Sequence, residues 1–241
     1  MSPVENYQVY NSAMARSMYD KLFWVDKVKK PDCIVDFGCA DGTMIEASKI
    51  CFPNARYIGV DTVPQTMVTN CEVVTKFEEL SDLPENTLLI LSSVIHEVYS
   101  YADVNNFWTN IVPFQQIVVR DMAVRESIYN SYVGVDLNRS KLYSTYPEQV
   151  KDFEKVWCKI QNRQQLMHFL LKYKYTENWK REVQENYLPL SVQDLTKKFL
   201  YSHGIAYESH TPLQYLQEMW NKDFGIWFNA PTHAKLIFER N

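Results

Sequence analysis

The residues best equipped for chemistry in this chain sit at the ends of apolar runs. TLLILSSVIHE, residues 87–97, carries Ser92 and Ser93 out of a hydrophobic stretch and then presents His96 and Glu97 side by side. QIVVRDM, residues 116–122, ends in Arg120 and Asp121. An imidazole with an ordinary pKa of roughly 6.5 can take a proton near neutrality or orient a substrate, and an arginine can anchor an anionic group. The same four residues could equally form a structural ion-pair network, with Glu97 serving a helix N-terminus. A third such end is VDFGCADGTM, residues 35–44, where Asp36 is followed by a turn through Gly38 and Gly42 into Thr43. Such a turn lets a ligand approach the backbone closely, and the N–H groups of the helix behind it favour a negative group. RYIGVD, residues 56–61, then ends in Asp61, at the distance from the turn where nucleotide-binding βαβ units place an acid on ribose hydroxyls.

These groups need elements to hold them. CIVDFGC (33–39), RYIGVD (56–61), TLLILSSV (87–94) and QIVVRDM (116–122) read as buried strands. TMIEASKICF (43–52) and VNNFWTNIV (104–112) read as helices between them, PQTMVTNCEVV (64–74) as a short helix, and TKFEELSD (75–82) as a short edge strand and turn. Residues 12–30, with Met14, Met18, Leu22, Val25 and Val28 at helical spacing, predict a helix ending at Pro31. Alternation of strands and helices is the pattern of a parallel sheet, whose ligands bind beyond the carboxyl ends of the strands. Ser92, His96, Glu97, Arg120 and Asp121 then face one rim.

From residue 125 to about 202 the pattern is helical, as in EQVKDFEKVWCKIQ, RQQLMHFLLKYKY and NWKREVQENY, and strands return as IAYESHTP and THAKLIFER. With no linker or repeat, the expectation is a single domain over 1–241, with an N-terminal helical segment (about 1–30) and a helical insertion or lid (about 125–202). Tyr7, Tyr10, Met14 and Tyr19 of the first segment either pack on the surface or fold over a cofactor.

Hydrophobic residues make up 46% and charged residues 22%, an ordinary globular balance, and the formal net charge of -4 argues against a surface devoted to nucleic acid. Cys33, Cys39, Cys51, Cys71 and Cys158 form no CxxC pair and read as free, largely buried thiols of a reducing compartment. His168, His203, His210 and His233 have no metal-ligand spacing, so no metal is expected. No apolar run reaches the roughly 20 residues of a membrane span, and no signal peptide is visible, which together point to the cytoplasm.

VDFGCADG, with IGVD behind it, resembles the first two motifs of the class I S-adenosylmethionine-dependent methyltransferases, the first of which reads roughly D-x-G-C-G-x-G. Asp36, Gly38, Cys39 and Gly42 match; Ala40 departs from glycine, and alanine resists a positive φ. The resemblance implies a Rossmann-like α/β sheet, mostly parallel, closed by a C-terminal antiparallel hairpin, with the helical insertion before the last two strands. It implies S-adenosylmethionine as cofactor, held by Asp36, Gly38, Cys39, Ala40, Gly42, Asp61, Thr62 and Ser92, with Phe77 and Glu78 the candidates beside adenine. Acceptor chemistry would fall to His96, Glu97, Arg120 and Asp121, on a small-molecule or nucleotide-like substrate. The competing readings are a catalytically silent module of the same fold that binds this cofactor or a nucleotide, and a nucleic-acid methyltransferase. A dinucleotide-dependent oxidoreductase fits less well, because its G-x-G-x-x-G spacing is not the one present.

Overall fold

A computed structural model of the chain describes residues 17–63, 65–129, 139–209, 212–228 and 230–241. Tyr7, Tyr10, Met14 and His210, and the first part of the expected N-terminal helix, lie outside the described residues. The elements are α1 (Met18–Lys21), β1 (Cys33–Phe37), α2 (Thr43–Cys51), β2 (Arg56–Val60), β3 (Glu72–Val74), β4 (Thr87–Ser92), α3 (Ile95–Tyr101), α4 (Val104–Ile111) and β5 (Gln116–Met122). They continue with α5 (Glu126–Tyr129), α6 (Arg139–Thr145), α7 (Pro147–Trp157), α8 (Arg163–Lys172), α9 (Trp179–Glu182), α10 (Val192–Phe199), β6 (His203–Ser209), α11 (Gln214–Phe224) and β7 (His233–Arg240).

The seven strands form one sheet in the order β3-β2-β1-β4-β5-β7-β6. β1 pairs in parallel with β2 on one side and β4 on the other, with Asp36 beside Gly59 and Ile90. β4 pairs in parallel with β5, placing Ser92 beside Arg120. β6 and β7 are antiparallel. The bonds from Ala123 N–H to Thr232 O and from Arg240 N–H to Gln115 O show that β7 also runs against β5. Strand order reverses between β1 and β4, and a crevice opens at such a switch point beyond the carboxyl ends of the strands. Ile34, Val35, Leu89, Ile90 and Val119 are wholly buried, as parallel strands covered on both faces must be.

The chain divides into two compact units. One holds the described residues up to 121 with 197–209 and 235–241, and carries nearly all of the sheet. Its core gathers Trp24, Ile34, Ile45, Tyr57, Leu88, Ile90, Val118 and Ile237. The other holds 122–196 and the described part of 210–234. It is helical, around Phe153, Leu166, Phe169, Tyr173, Leu216, Trp220 and Phe224. α8 starts at a capping box, in which Asn162 accepts from Gln165 N–H and the Gln165 side chain accepts from Asn162 N–H. No helix among the described residues is long and apolar enough to cross a membrane.

Five local expectations are corrected. Within 17–30 the α-helix covers only Met18–Lys21; the chain goes on in tighter turns, such as Val25 N–H to Leu22 O and Lys27 N–H to Trp24 O, that sink Trp24 into the core. Residues 65–74 hold no helix: Val68 N–H is spent on Asp41 O and the segment ends in β3. TKFEELSD forms a 3-10 turn at Phe77–Glu79 instead of a strand, and NWKREVQENY is helical only over its first turn, α9. β6 and β7 pair antiparallel as expected, but no tight hairpin joins them, because α11 lies between. Its buried Leu216, Trp220 and Phe224 face the helical core, and Gly225 at φ 69° ends it.

Candidate functional site

The glycine turn is built by backbone geometry at three positions. Gly38, Ala40 and Gly42 all have positive φ, at 78°, 48° and 80°. At Ala40 the left-handed conformation costs about 1–2 kcal/mol. Asp61 holds it in place: one carboxylate oxygen accepts from Ala40 N–H at 2.9 Å and the other from Val63 N–H at 2.9 Å. The acid at the end of β2 is thus tied to the turn at the end of β1. Thr62, beside it, is exposed. Packing adds to this at Gly38, where a Cβ would lie 2.7 Å from Val94 Cγ2, whereas one on Gly42 would meet the movable methyl end of Met67 at 2.5 Å. Cys39 is packing too, its Sγ 2.6 Å from where a Cβ on Gly59 would be, and burial pushes its thiol up beyond any reactive range.

Val94 leads from the turn to the histidine. Asp121, buried at the end of β5, accepts from Val94 N–H at 3.0 Å, Ile95 N–H at 2.6 Å and His96 N–H at 3.4 Å through Oδ2. Its Oδ1 lies 2.8 Å from His96 Nδ1. One carboxylate therefore caps α3 and fixes the imidazole that α3 carries. Because a carboxylate only accepts, Nδ1 carries the proton of this hydrogen bond. Glu97, the next residue of α3, is half-buried. Ser93 adopts φ 59° between strand and helix, with its N–H on Arg120 O at 2.7 Å.

Arg120 is buried, with Nε on Asp20 at 2.9 Å and Nη1 on Ser93 Oγ at 2.7 Å. Asp20 also meets Lys235 Nζ near the start of β7. The guanidinium thus ties α1 to the rim. Asp36 is buried at the end of β1, and burial raises its carboxyl to about 7, with Asp61 adding to the rise and Lys21 opposing it. It accepts no hydrogen bond from any described residue. Ser92 Oγ, at the end of β4, is buried and has no hydrogen-bond partner among the described residues.

These features fit the cofactor that the motifs imply. The turn and Asp61 would present backbone and carboxylate to an adenosine ribose, while Asp36 and Ser92 Oγ are buried polar groups without a hydrogen-bond partner among the described residues. Phe77 stacks on Phe37 with centroids 4.5 Å apart, and Glu78 accepts from Asn106 Nδ2 at 3.0 Å. Asp20 and Lys21 were missed in the sequence; the signal was a charged pair inside an apolar-spaced stretch, SMYDKLFW.

No family model matches the chain, and no curated protein matches it in sequence. Solved structures do. Over 96% of its length, at 10% identity and a TM-score of 0.54, the chain is similar to the pyocyanin biosynthetic protein PhzM, of which it spans 57%. It is similar over 97% of its length, at 12% identity and a TM-score of 0.54, to a SAM dependent methyltransferase from Archaeoglobus fulgidus, of which it spans 99%. A third is the plantazolicin methyltransferase BamL, solved with a triazolic desmethylPZN analog and SAH, at 10% identity and a TM-score of 0.51 over 98% of this chain and 88% of that one. At these identities the likeness defines the fold, which is that of the class I methyltransferases.

Proposed function

We propose that the chain is an S-adenosylmethionine-dependent methyltransferase acting on a small-molecule or nucleotide-like acceptor. The observation that carries this reading is the imidazole of His96, held by Asp121 at 2.8 Å on a helix whose lead-in residue, Val94, abuts Gly38 of the cofactor-type turn. Gly38, Cys39, Ala40 and Gly42 would line the cofactor with backbone, Asp61 and Thr62 would meet the ribose, and Asp36 and Ser92 the methionine end. When bound, the cofactor supplies a methyl group on a strongly electrophilic sulfonium. His96 Nε2 takes the proton of an acceptor hydroxyl or ammonium, and Asp121 keeps the tautomer and stabilises the imidazolium that results. Glu97 assists beside it, and Arg120 keeps the rim rigid through Asp20 and Ser93. An acceptor of modest size is supported by the net charge of -4 and by the printed ligand of BamL, a triazolic analogue.

The test is transfer of labelled methyl from S-adenosylmethionine into cell extract split into protein, RNA, DNA and small molecules. Label in the small-molecule fraction, lowered about 10²-fold or more by His96→Gln, is the expected result. Cofactor binding without transfer to any fraction would establish a silent module instead. Label in RNA or DNA would establish the nucleic-acid reading.

A further inference from the structure

Arg120 and Asp121 are neighbours near the end of β5, and the alternation of a strand turns them to opposite faces of the sheet. Asp121 takes the face of α3, where it holds the N–H groups of Val94 and Ile95 and the His96 imidazole. Arg120 takes the other face, where its Nε donates to Asp20 Oδ2 of α1 at 2.9 Å. The second oxygen of Asp20 pairs with Lys235 Nζ, near the start of β7, so both are spent on cations. Arg120 then grips the residue that turns β4 into α3. Its Nη1 donates to Ser93 Oγ at 2.7 Å, and its carbonyl oxygen accepts from Ser93 N–H at 2.7 Å. Ser93 stands at φ 59°, in the left-handed region that is unfavourable for any residue with a Cβ.

A residue in an unfavourable conformation stays there only while its surroundings hold it. Both holds on Ser93 come from Arg120, a buried guanidinium whose own direction is set by Asp20. The chain of contacts Lys235–Asp20–Arg120–Ser93 therefore ends at the residue that sets where α3 begins, just before His96. Among the described residues, none of these four side chains bonds to the glycine turn or to Asp61. We propose that Asp20 is a positioning residue for His96: by fixing Arg120 it keeps Ser93 left-handed, and so sets the start of α3 and the place of the imidazole. The assignment rests on the reading of His96 as the base of methyl transfer. Lys235 acts on the same carboxylate from the last strand. Two segments remote in sequence, the stretch before β1 and the last strand, thereby act on the reacting group without touching substrate.

Asp20→Ala should slow label transfer into cell extract at saturating S-adenosylmethionine by about 10- to 100-fold, as a displaced base does, and leave affinity for S-adenosylhomocysteine within about twofold. Asp20→Asn, which can still accept from Arg120 Nε, should lose less, and carries the same comparison if the Ala variant does not fold. Ser93→Gly adopts the left-handed turn unaided, so in that background the loss caused by Asp20→Ala should shrink to about threefold. Amide hydrogen exchange reads the turn without turnover. At Ser93, Val94 and Ile95 it should speed up in Asp20→Ala and return toward the wild-type rate in the double variant. An unchanged transfer rate in folded Asp20→Ala, an equal loss in both backgrounds, a parallel loss of cofactor affinity, or unchanged exchange at these amides would overturn the assignment. Wild-type protein that binds S-adenosylhomocysteine but transfers no methyl group would overturn the base itself, and this inference with it.

Discussion

Lys172 in the helical unit and Lys21 in the sheet unit are both buried ammonium groups, and they keep different company. Lys172 donates to the carbonyl oxygens of Glu182 at 2.8 Å and Glu185 at 2.6 Å. The Tyr187 ring lies 4.5 Å from its Nζ, with Trp157 and Phe153 beyond. Around it Arg181 Nη2 meets Glu185 at 2.9 Å, and the Tyr187 hydroxyl bonds to Glu182. Burial lowers Lys172 to about 7 against the pull of Glu182 and Glu185. Every contact of this ammonium fixes backbone or closes a core. Lys21 instead stands among Asp20, Asp36, Asp121 and Arg120, where one of the acids has no hydrogen-bond donor. A buried charge bonded directly to its own chain is architecture, and a buried acid left without a donor at a strand rim is capacity for a ligand.

The largest expected effect falls on the rim. Asp121→Asn should lower methyl transfer by about 10² to 10⁴-fold, since an amide can present its N–H to His96 Nδ1 and reverse the tautomer. A folded variant that keeps its rate would remove the His96–Asp121 pair from the chemistry. Next comes the clamp in the other unit: Lys172→Ala should cost about 3–5 kcal/mol in urea unfolding, leaving two buried carbonyls and a void, and Lys172→Met distinctly less. A loss below about 1 kcal/mol would show that Lys172 is not the architectural half of the comparison.

Asp36→Asn should move stability the other way. A carboxyl raised from 3.8 to about 7 binds more protons folded than unfolded between those values, so stability falls as pH rises through that window. The ionised form above it is penalised by on the order of 4 kcal/mol. The amide escapes that penalty, so the variant should gain over wild type from pH 4 to 7, level off above, and reach about 1–3 kcal/mol after local relaxation. Its affinity for the cofactor should fall. Equal stability across that range would mean that Asp36 is satisfied like Lys172. The smallest effect belongs to Ala40→Gly, which removes the left-handed strain at φ 48° but adds chain entropy, for a net gain of a few tenths of a kcal/mol. A clear loss would mean that the turn relies on the Ala40 methyl group.

Much of the rim was legible because its signals are local. Strand, glycine turn, helix, strand and terminal acid follow one another within VDFGCADGTM and IGVD, and the described elements β1, α2 and β2 keep that order. The rest depended on contacts far along the chain. Arg120 read as an anchor for substrate, but its Nε partner, Asp20, lies 100 residues away and could not be paired from spacing. Asp20 and Lys21 lie between the apolar positions of the expected helix, and helical periodicity says which face is apolar but not which charges are buried. β3 escaped because three residues at a sheet edge carry almost no period. α11 was legible in Leu216, Trp220, Phe224 and the closing Gly225, and was lost to the expectation of a hairpin.

Calorimetric titration of S-adenosylhomocysteine into wild-type protein and into Asp61→Ala tests the central claim most directly. Wild type should bind one equivalent, and the variant should lose about tenfold or more, because Asp61 holds Ala40 N–H and, on the proposed function, would meet the ribose. No binding by folded wild type, or equal binding by the two, would contradict the account.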